Sequence, residues 1–232
     1  MAIPPADHNF SSDVPETVIP ETVIEVFADI WCPFTHVGLH MIEDLRQRSG
    51  RTDIAIHVRA WPLELVNQRP MDPISTRANA TELRAQVAPE LFGAYFTPST
   101  HPEGAPDWFP TSTLEALALA ARAYHRDLST GEAVSFAVRR ALFEEARDIS
   151  SPEVLAEIAA DHDLDLPDDE DRAAVRADWE QGQSRKVIGS PHFFKGHDSK
   201  FCVALQISKD PETGLSVQRN TKALEAFFSE FF

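Results

Sequence analysis

The spacing of apolar and polar residues changes along the chain and predicts a first part with the order β-α-β. Residues 22–28 are mainly β-branched, aromatic or small, which is typical of a buried central strand. Residues 34–48 place their apolar side chains at helical spacing, and Gly50 ends the segment. Residues 53–61 alternate between apolar and polar positions and stop at Pro62. The pattern therefore predicts two parallel strands that are joined by a crossover helix.

The next part, residues 63–186, has no convincing strand pattern and is predicted to be a helical insertion. Its capping residues and apolar spacing predict helices within 71–84, 112–127, 132–149, 151–162 and 168–185. Residues 127–131, Asp-Leu-Ser-Thr-Gly, are expected to separate two of these helices. Residues 101–110 are rich in proline and glycine and are predicted to form a loop.

Strand character returns after the insertion. Residues 187–194 are predicted to form a turn that leads into a strand, and residues 201–207 the antiparallel strand that follows it. Residues 210–214 are predicted to form a loop and residues 221–232 a terminal helix. The complete order is β-α-β, helical insertion, β-β-α, which predicts an α/β fold with a four-stranded mixed sheet and helices on both faces.

This order also predicts how the chain is divided. Residues 1–21 are expected to form a flexible N-terminal tail, because they contain several prolines and no periodic apolar pattern. Residues 22–62 and 187–232 are expected to form one discontinuous domain, and residues 63–186 the insertion within it.

The net charge of the chain argues against some classes of binding partner. The 232 residues carry a formal charge of −16, and such a surface repels nucleic acid and anionic membranes. No apolar run approaches the length of a membrane span, and the N-terminus has no signal-peptide pattern. We therefore expect a cytoplasmic protein, either a monomer or a homodimer, that acts on small molecules or on other proteins.

The two cysteines, Cys32 and Cys202, are too few for a disulfide scaffold or a four-cysteine zinc site. Cys32 lies where the first helix begins and is followed by Pro33, a residue favoured in the first helical turn. The positive end of the helix dipole stabilises a thiolate and can lower a cysteine pKa by about one to several units. The sequence therefore predicts that Cys32 is a thiolate nucleophile. The alternative is a structural thiol in the core.

Two motifs make the chain similar to a known family. The first is Cys32-Pro33-Phe34-Thr35 at the start of the first helix, and the second is Ser190-Pro191 before the third strand. Together with the order of elements over residues 23–232, they resemble the thioredoxin fold. The helical insertion resembles its DsbA-like branch, which includes FrnE-type oxidoreductases, 2-hydroxychromene-2-carboxylate isomerases and kappa-class glutathione transferases. The resemblance implies that Pro191 is a cis-proline packed against the first motif, and that the protein is a thiol-disulfide oxidoreductase.

The chain departs from the redox members of this family at one position. Those members carry Cys-x-x-Cys, whereas here Thr35 occupies the place of the second cysteine. A mixed disulfide at Cys32 must then be resolved by another thiol. We expect no bound cofactor; the second thiol is either a small thiol such as glutathione or mycothiol, acting as a co-substrate, or Cys202.

The residues around Cys32 have both a functional and a structural interpretation. Thr35 either packs in the helix or donates its hydroxyl to the sulfur, and His36, one turn after Cys32, either acts as an imidazolium or base or has no role. Pro33, Phe34, Ser190 and Pro191 are predicted to bind the substrate, with Ser190 offering backbone groups. His192, His197 and Asp198 form too weak a group to predict a metal site.

Three functions remain open from the sequence. The first is an oxidoreductase in which Cys32 attacks a small-molecule disulfide, an electrophile or a protein disulfide. The second is a transferase or isomerase that binds glutathione or mycothiol. The third is a non-catalytic binding or chaperone module, which would be indicated by an unactivated Cys32 with a pKa near 8.5.

Overall fold

The computed structural model describes residues 22–96, 108–212 and 214–232. The predicted tail, residues 1–21, and most of the predicted loop at 101–110 lie outside the described residues. None of the helices within the described ranges is long and apolar enough to cross a membrane. In chain order the strands and α-helices are β1 (Thr22–Ala28), α1 (Pro33–Ser49), β2 (Ile54–Ala60), α2 (Leu63–Asn67), α3 (Pro73–Gln86), α4 (Leu114–Arg126), α5 (Leu128–Phe143), α6 (Pro152–Asp161), α7 (Asp169–Ser184), β3 (His192–Lys195), β4 (Asp198–Phe201), β5 (Leu205–Asp210), β6 (Gly214–Arg219) and α8 (Thr221–Phe227).

The central sheet has four strands in the order β2-β1-β3-β4. Strand β1 runs parallel to β2, with Thr22 opposite Ile54, and antiparallel to β3, with Val26 opposite Phe193. Strand β4 is antiparallel to β3. Ile24, Val26 and Phe193 are fully buried, which explains why β1 and β3 occupy the middle of the sheet. The predicted α/β fold with a four-stranded mixed sheet is confirmed.

The C-terminal strands differ from the prediction. The strand that returns beside β3 is Asp198–Phe201, not residues 201–207, because the chain already turns at Gly196, whose φ is +59°. Cys202, at a φ of +47°, ends this strand. Strands β5 and β6 then form a separate antiparallel hairpin in which Asp210 lies opposite Gly214, the two ends of the predicted loop, and residue 213 lies outside the described residues. Helix α8 ends at Phe227 instead of Phe232.

The helical insertion is confirmed by the helices between β2 and β3, although some boundaries move. The predicted break between two helices at 127–131 is confirmed but is limited to Asp127, whose side chain accepts a hydrogen bond from the Thr130 amide and thereby starts α5 at Leu128 instead of residue 132. Ser151 caps α6 in the same way, and Pro152 follows at its first position, as predicted. Helix α2, a single short turn after β2, was not predicted.

The insertion also covers the outer edge of the sheet, which is strand β2. Three of its side chains bind backbone groups of that strand and take the place of a fifth strand. The pairs are Glu132 Oε2 with the Ile56 amide at 2.8 Å, Tyr124 Oη with the Val58 amide at 2.9 Å and the Ile56 carbonyl at 3.0 Å, and Asp178 Oδ2 with the Ala60 amide at 3.0 Å. These bonds fix the insertion next to the end of the sheet from which the Cys32 loop emerges.

Candidate active site

The loop between β1 and α1 is held by the buried carboxylate of Asp29. Its two oxygens accept hydrogen bonds from the Trp31 amide at 3.2 Å and from the Leu63 amide, the first residue of α2, at 2.6 Å. Cys32 follows as the N-cap of α1, with Pro33 in the first turn. The predicted position of Cys32, at the start of the first helix, is therefore confirmed.

The Cys32 sulfur faces the loop that contains Pro191. Its Sγ donates a hydrogen bond to the Ser190 carbonyl oxygen at 3.1 Å, and only 5% of the residue is exposed. Burial raises the pKa of the Cys32 thiol, and this effect exceeds the opposing one from hydrogen bonds of Thr35 and Ser190. The predicted lowering of this pKa is thus wrong for this conformation, because the sequence showed the helix N-terminus but not how deeply the sulfur is buried.

Ser190 joins the two motifs. The peptide bond between Ser190 and Pro191 is cis, as predicted. The Ser190 hydroxyl accepts a hydrogen bond from the Asp29 amide at 2.9 Å and shares another with the Thr35 hydroxyl at 2.8 Å. When Ser190 is the donor in the second bond, the Thr35 proton is free to point toward the sulfur. The structure thus brings Cys32, Thr35, Ser190 and Pro191 together.

Of the interpretations left open for His36, the imidazolium is the one that its surroundings disfavour. The ring is fully buried, stacks on Phe143 and places Nε2 at 2.9 Å from the Leu91 carbonyl oxygen. Burial lowers the pKa of His36 well below its ordinary value, so the ring is neutral near pH 7. An imidazolium that stabilises the Cys32 thiolate is therefore excluded as an interpretation. Helical spacing places His36 on the Cys32 side of α1, but the packing of the insertion decides what its ring contacts.

The remaining predicted residues lie around this centre. Pro33 is buried, and Phe34 is half-buried and packs against the core. The Cys202 amide donates to the Pro191 carbonyl oxygen at 2.9 Å, which places the second cysteine behind the proline loop. Burial, with a smaller contribution from the charge of Cys32, raises the pKa of Cys202 to about 12. Both cysteines are free thiols, and the role of Cys202 as resolving thiol stays a prediction.

One residue of the site was missed from the sequence. Asp29 lies three positions before Cys32, is fully buried, and has a pKa that burial raises. An acidic residue directly after a buried strand was the available signal, since such a group must find hydrogen-bond donors. Asp29 finds them in Leu63 and Trp31, and its charge acts to raise the pKa of Cys32.

Within the described ranges, one group of side chains approaches the arrangement of metal ligands. Atoms of His36, His40 and Glu144 lie within 4.8 Å of one another. Ligands of one tetrahedral zinc ion are about 3.4 Å apart, given zinc–nitrogen distances of about 2.1 Å. Moreover, Nε2 of His36 already bonds to the Leu91 carbonyl. We therefore assign no metal to this group.

A four-stranded mixed sheet, a cysteine at the start of the first helix and a cis-proline loop beside its sulfur define a thioredoxin-fold protein with an inserted helical block. Residues 23–208 match the family model of the DSBA-like thioredoxin domain, so the chain belongs to that family.

Solved structures show the same fold. A protein from Nitrosomonas europaea, provisionally assigned as a protein disulfide isomerase, superposes with a TM-score of 0.60 at 18% identity, over 90% of this chain and 96% of the other. A 2-hydroxychromene-2-carboxylate isomerase gives 0.55 at 16% identity, over 78% and 88%. The cytosolic disulfide reductase DsbM from Pseudomonas aeruginosa, with GSH, gives 0.54 at 19% identity, over 77% and 88%. A search of the curated proteins found no match.

Proposed function

We propose that this protein is a thiol-disulfide oxidoreductase in which Cys32 is the single nucleophile of the active site. The observation that carries the proposal is the 3.1 Å contact between the Cys32 sulfur and the Ser190 carbonyl oxygen. A substrate that extends along the proline loop would meet the same carbonyl and the sulfur together. Family membership supports an enzyme of this general kind.

The reaction requires Cys32, two molecules of a reducing thiol and one substrate disulfide. The Cys32 thiol loses its proton, and its sulfur attacks one sulfur of the substrate, whose other sulfur leaves as a thiolate and takes up a proton. A first reducing thiol then attacks the Cys32 sulfur of the mixed disulfide and frees the remaining substrate sulfur as a thiol. A second reducing thiol attacks the resulting adduct, which releases Cys32 and joins the two reducing thiols in a disulfide. The substrate disulfide gains two electrons if both of its sulfurs end as thiols, and the two reducing thiols end as a disulfide.

We propose that a small thiol performs both of these reducing steps. Thr35 replaces the second cysteine of the motif, and the high pKa of Cys202 leaves little of it as thiolate near neutral pH. One structure of the same fold, DsbM, was determined with GSH. This makes glutathione the first small thiol to test and mycothiol the second. A cytoplasmic location, where such thiols are abundant and reduced, remains part of the proposal.

The test is thiol-disulfide exchange with a small-molecule disulfide in the presence of glutathione. Wild type, Cys32→Ala, Cys32→Ser and Cys202→Ser are compared. We expect both Cys32 variants to lose the protein-dependent rate, whereas Cys202→Ser, the matched cysteine control, keeps it. A Cys32→Ala protein with the full rate would refute the proposal.

The raised pKa of Cys32 favours a second candidate, a binding or chaperone module on the same fold without turnover. It predicts no exchange activity and no adduct with a small thiol at any pH at which the protein is folded. The same set of variants distinguishes a glutathione-dependent isomerase or transferase. In such an enzyme the hydroxyl of Thr35, or a serine hydroxyl in place of the Cys32 thiol, would suffice to orient the glutathione sulfur. In that case Cys32→Ser would still bind glutathione and turn over an electrophilic substrate.

A further inference from the structure

Arg139, on helix α5, carries a buried charge that nothing in the proposed reaction uses. Only 1% of the residue is exposed. Its Nη1 donates to the Ser135 carbonyl oxygen at 2.8 Å and to the Ser135 hydroxyl at 2.6 Å. Its Nε and Nη2 have no hydrogen-bond partner, and the described carboxylate whose charge acts on it, that of Asp29, forms no hydrogen bond with it. Burial lowers the pKa of Arg139 to about 10, so the guanidinium is still cationic near pH 7.

A buried cation without a counter-ion is unfavourable by several kcal/mol in general, so its retention calls for an explanation. The two nitrogens without partners are the informative feature. Nε–H and one N–H of Nη2 lie on the same edge of a guanidinium and point in parallel directions. That edge fits the two oxygens of a carboxylate, while Ser135 holds the guanidinium by its remaining nitrogen.

Arg139 also lines a cavity of about 290 Å³ between strand β2 and the helices that cover it. The polar part of the lining includes Ser135 and Tyr124, and the apolar part includes Ile30, Leu117 and Ala121. The carboxylate of Asp178 lines the cavity too, but it is engaged by Arg59 at 2.6 Å and by the Ala60 amide.

We propose that this cavity binds a small organic carboxylate whose two oxygens accept hydrogen bonds from Nε and Nη2 of Arg139. The apolar walls would contact a short hydrocarbon chain, and exclusion of water would strengthen the ion pair. His125 and Ala177, both exposed and both part of the lining, are at the mouth of the cavity. Cys32 is not part of the lining, although its charge, like that of Asp29, acts on Arg139.

The test uses the full chain labelled with ¹⁵N-arginine and titrated with propionate, with the isosteric neutral propionamide as the control. We expect propionate to shift the Arg139 Nε resonance in a saturable way and to raise the Tm, and propionamide to do neither. Sulfate is the third probe, because it carries charge without the planar carboxylate. If propionate causes no saturable shift, or if propionamide or sulfate binds as tightly, the proposal is wrong, and the cavity holds water or an unspecific ion.

Two variants locate the binding. Arg139→Met removes the charge and the two N–H donors, and it should weaken propionate binding about tenfold or more, since charge-assisted hydrogen bonds contribute about 1.5–3 kcal/mol. Because replacing a buried residue such as Arg139 also changes the stability of the protein, a second variant leaves Arg139 in place. This variant, Ala177→Trp on helix α7, narrows the mouth of the cavity. Its matched control is Ala173→Trp, an exposed alanine of the same helix that does not line the cavity. Equal affinities in these two tryptophan variants, read from the Tm shift, would overturn the proposal.

Discussion

The carboxylate of Asp29 accepts a hydrogen bond from the Leu63 amide at 2.6 Å, and this single contact joins the Cys32 loop to the first helix of the insertion. The other oxygen of the same carboxylate binds the Trp31 amide, one residue before Cys32. The position of the nucleophile therefore depends on the insertion as well as on the strand and helix that flank it. Along the sequence, helix α1 and strand β2 separate Asp29 from Leu63, and in the fold the buried Asp29 carboxylate connects the two parts.

Replacing Asp29 with asparagine should lower both the stability of the protein and the pKa of Cys32. Asparagine offers one acceptor oxygen to two amides, so one buried N–H loses its partner at a cost of about 1–3 kcal/mol. Loss of the negative charge removes an influence that raises the Cys32 pKa. Urea unfolding and the pH dependence of iodoacetamide alkylation measure the two effects.

Asp72→Asn is the matched control for that substitution, because it makes the same chemical change at an exposed helix cap where asparagine serves equally well. It should leave both measurements near the wild-type values. An unchanged alkylation profile in Asp29→Asn would show that the charge of Asp29 does not act on Cys32.

The pH at which Cys32 becomes reactive tests the effect of burial. Since burial raises its pKa, we expect the alkylation midpoint of the Cys202→Ser protein to lie above about 8.5. Thr35→Val, which removes a hydroxyl that acts to lower this pKa, should move the midpoint further upward, whereas the distant and exposed Thr52→Val should not. A midpoint well below 8 would mean that the helix N-terminus outweighs burial after all.

The same pKa has a consequence for stability. In the folded state Cys32 keeps its proton at pH values at which the unfolded chain has already lost it, so the unfolded state is favoured as pH rises above about 8.5. We expect the free energy of unfolding to fall over that range in Cys202→Ser and to fall less steeply when Cys32 is also replaced by alanine. Equal slopes for the two proteins between pH 8 and 10 would contradict this assignment.

Tyr124→Phe should loosen the outer edge of the sheet. The tyrosine hydroxyl accepts from the Val58 amide and donates to the Ile56 carbonyl, and phenylalanine leaves both groups without this partner. We expect a loss of about 1–3 kcal/mol of unfolding free energy. Hydrogen exchange should accelerate at the Val58 amide more than at the Val26 amide in the centre of the sheet. Equal acceleration at both positions would indicate global instead of local opening.

His36 should make the protein sensitive to acid. Its folded pKa lies well below the value in the unfolded chain, so the unfolded state binds an extra proton as pH falls below about 6.5. Stability is therefore fully present above pH 6.5 and decreases below it. His36→Leu should flatten this dependence, as measured by urea unfolding between pH 7 and pH 5. Phe143→Leu, which removes the ring that stacks on His36, should reduce stability but keep the wild-type slope.

The parts of this structure that could be predicted are those set by local pattern. Strand β1 was predicted with its observed bounds, because its β-branched and aromatic residues are interrupted only by Glu25. The cap at Ser151 was predicted because serine is favoured at the N-cap of a helix and proline at the first position after it. The proximity of the Cys32 loop to the Ser190-Pro191 loop was predicted from the resemblance to a family, since nothing local relates Cys32 to Ser190, 158 residues away.

The parts that could not be predicted depend on packing between distant segments. The spacing of His36 was correct, but the burial that keeps it neutral comes from the insertion. Nor did the pattern of charges distinguish Arg139, which lies next to Arg140 in the same helix and is buried by its neighbours. The pKa of Cys32 was predicted with the wrong sign for the same reason, because burial is a property of the assembled fold.

One measurement decides whether Cys202 resolves the mixed disulfide at Cys32. Its pKa of about 12 leaves only about one molecule in 10⁴ to 10⁵ as thiolate near pH 7.5, so it is a poor nucleophile for resolving a mixed disulfide. We therefore expect a Cys32–glutathione adduct to be released at a rate proportional to added glutathione, and expect Cys202→Ser to change that rate less than about twofold. The assay is mass spectrometry of the adduct over time at several glutathione concentrations. A release rate that is independent of added thiol and is abolished in Cys202→Ser would instead make Cys202 the resolving thiol, and would require the loop around Pro191 to open during each turnover.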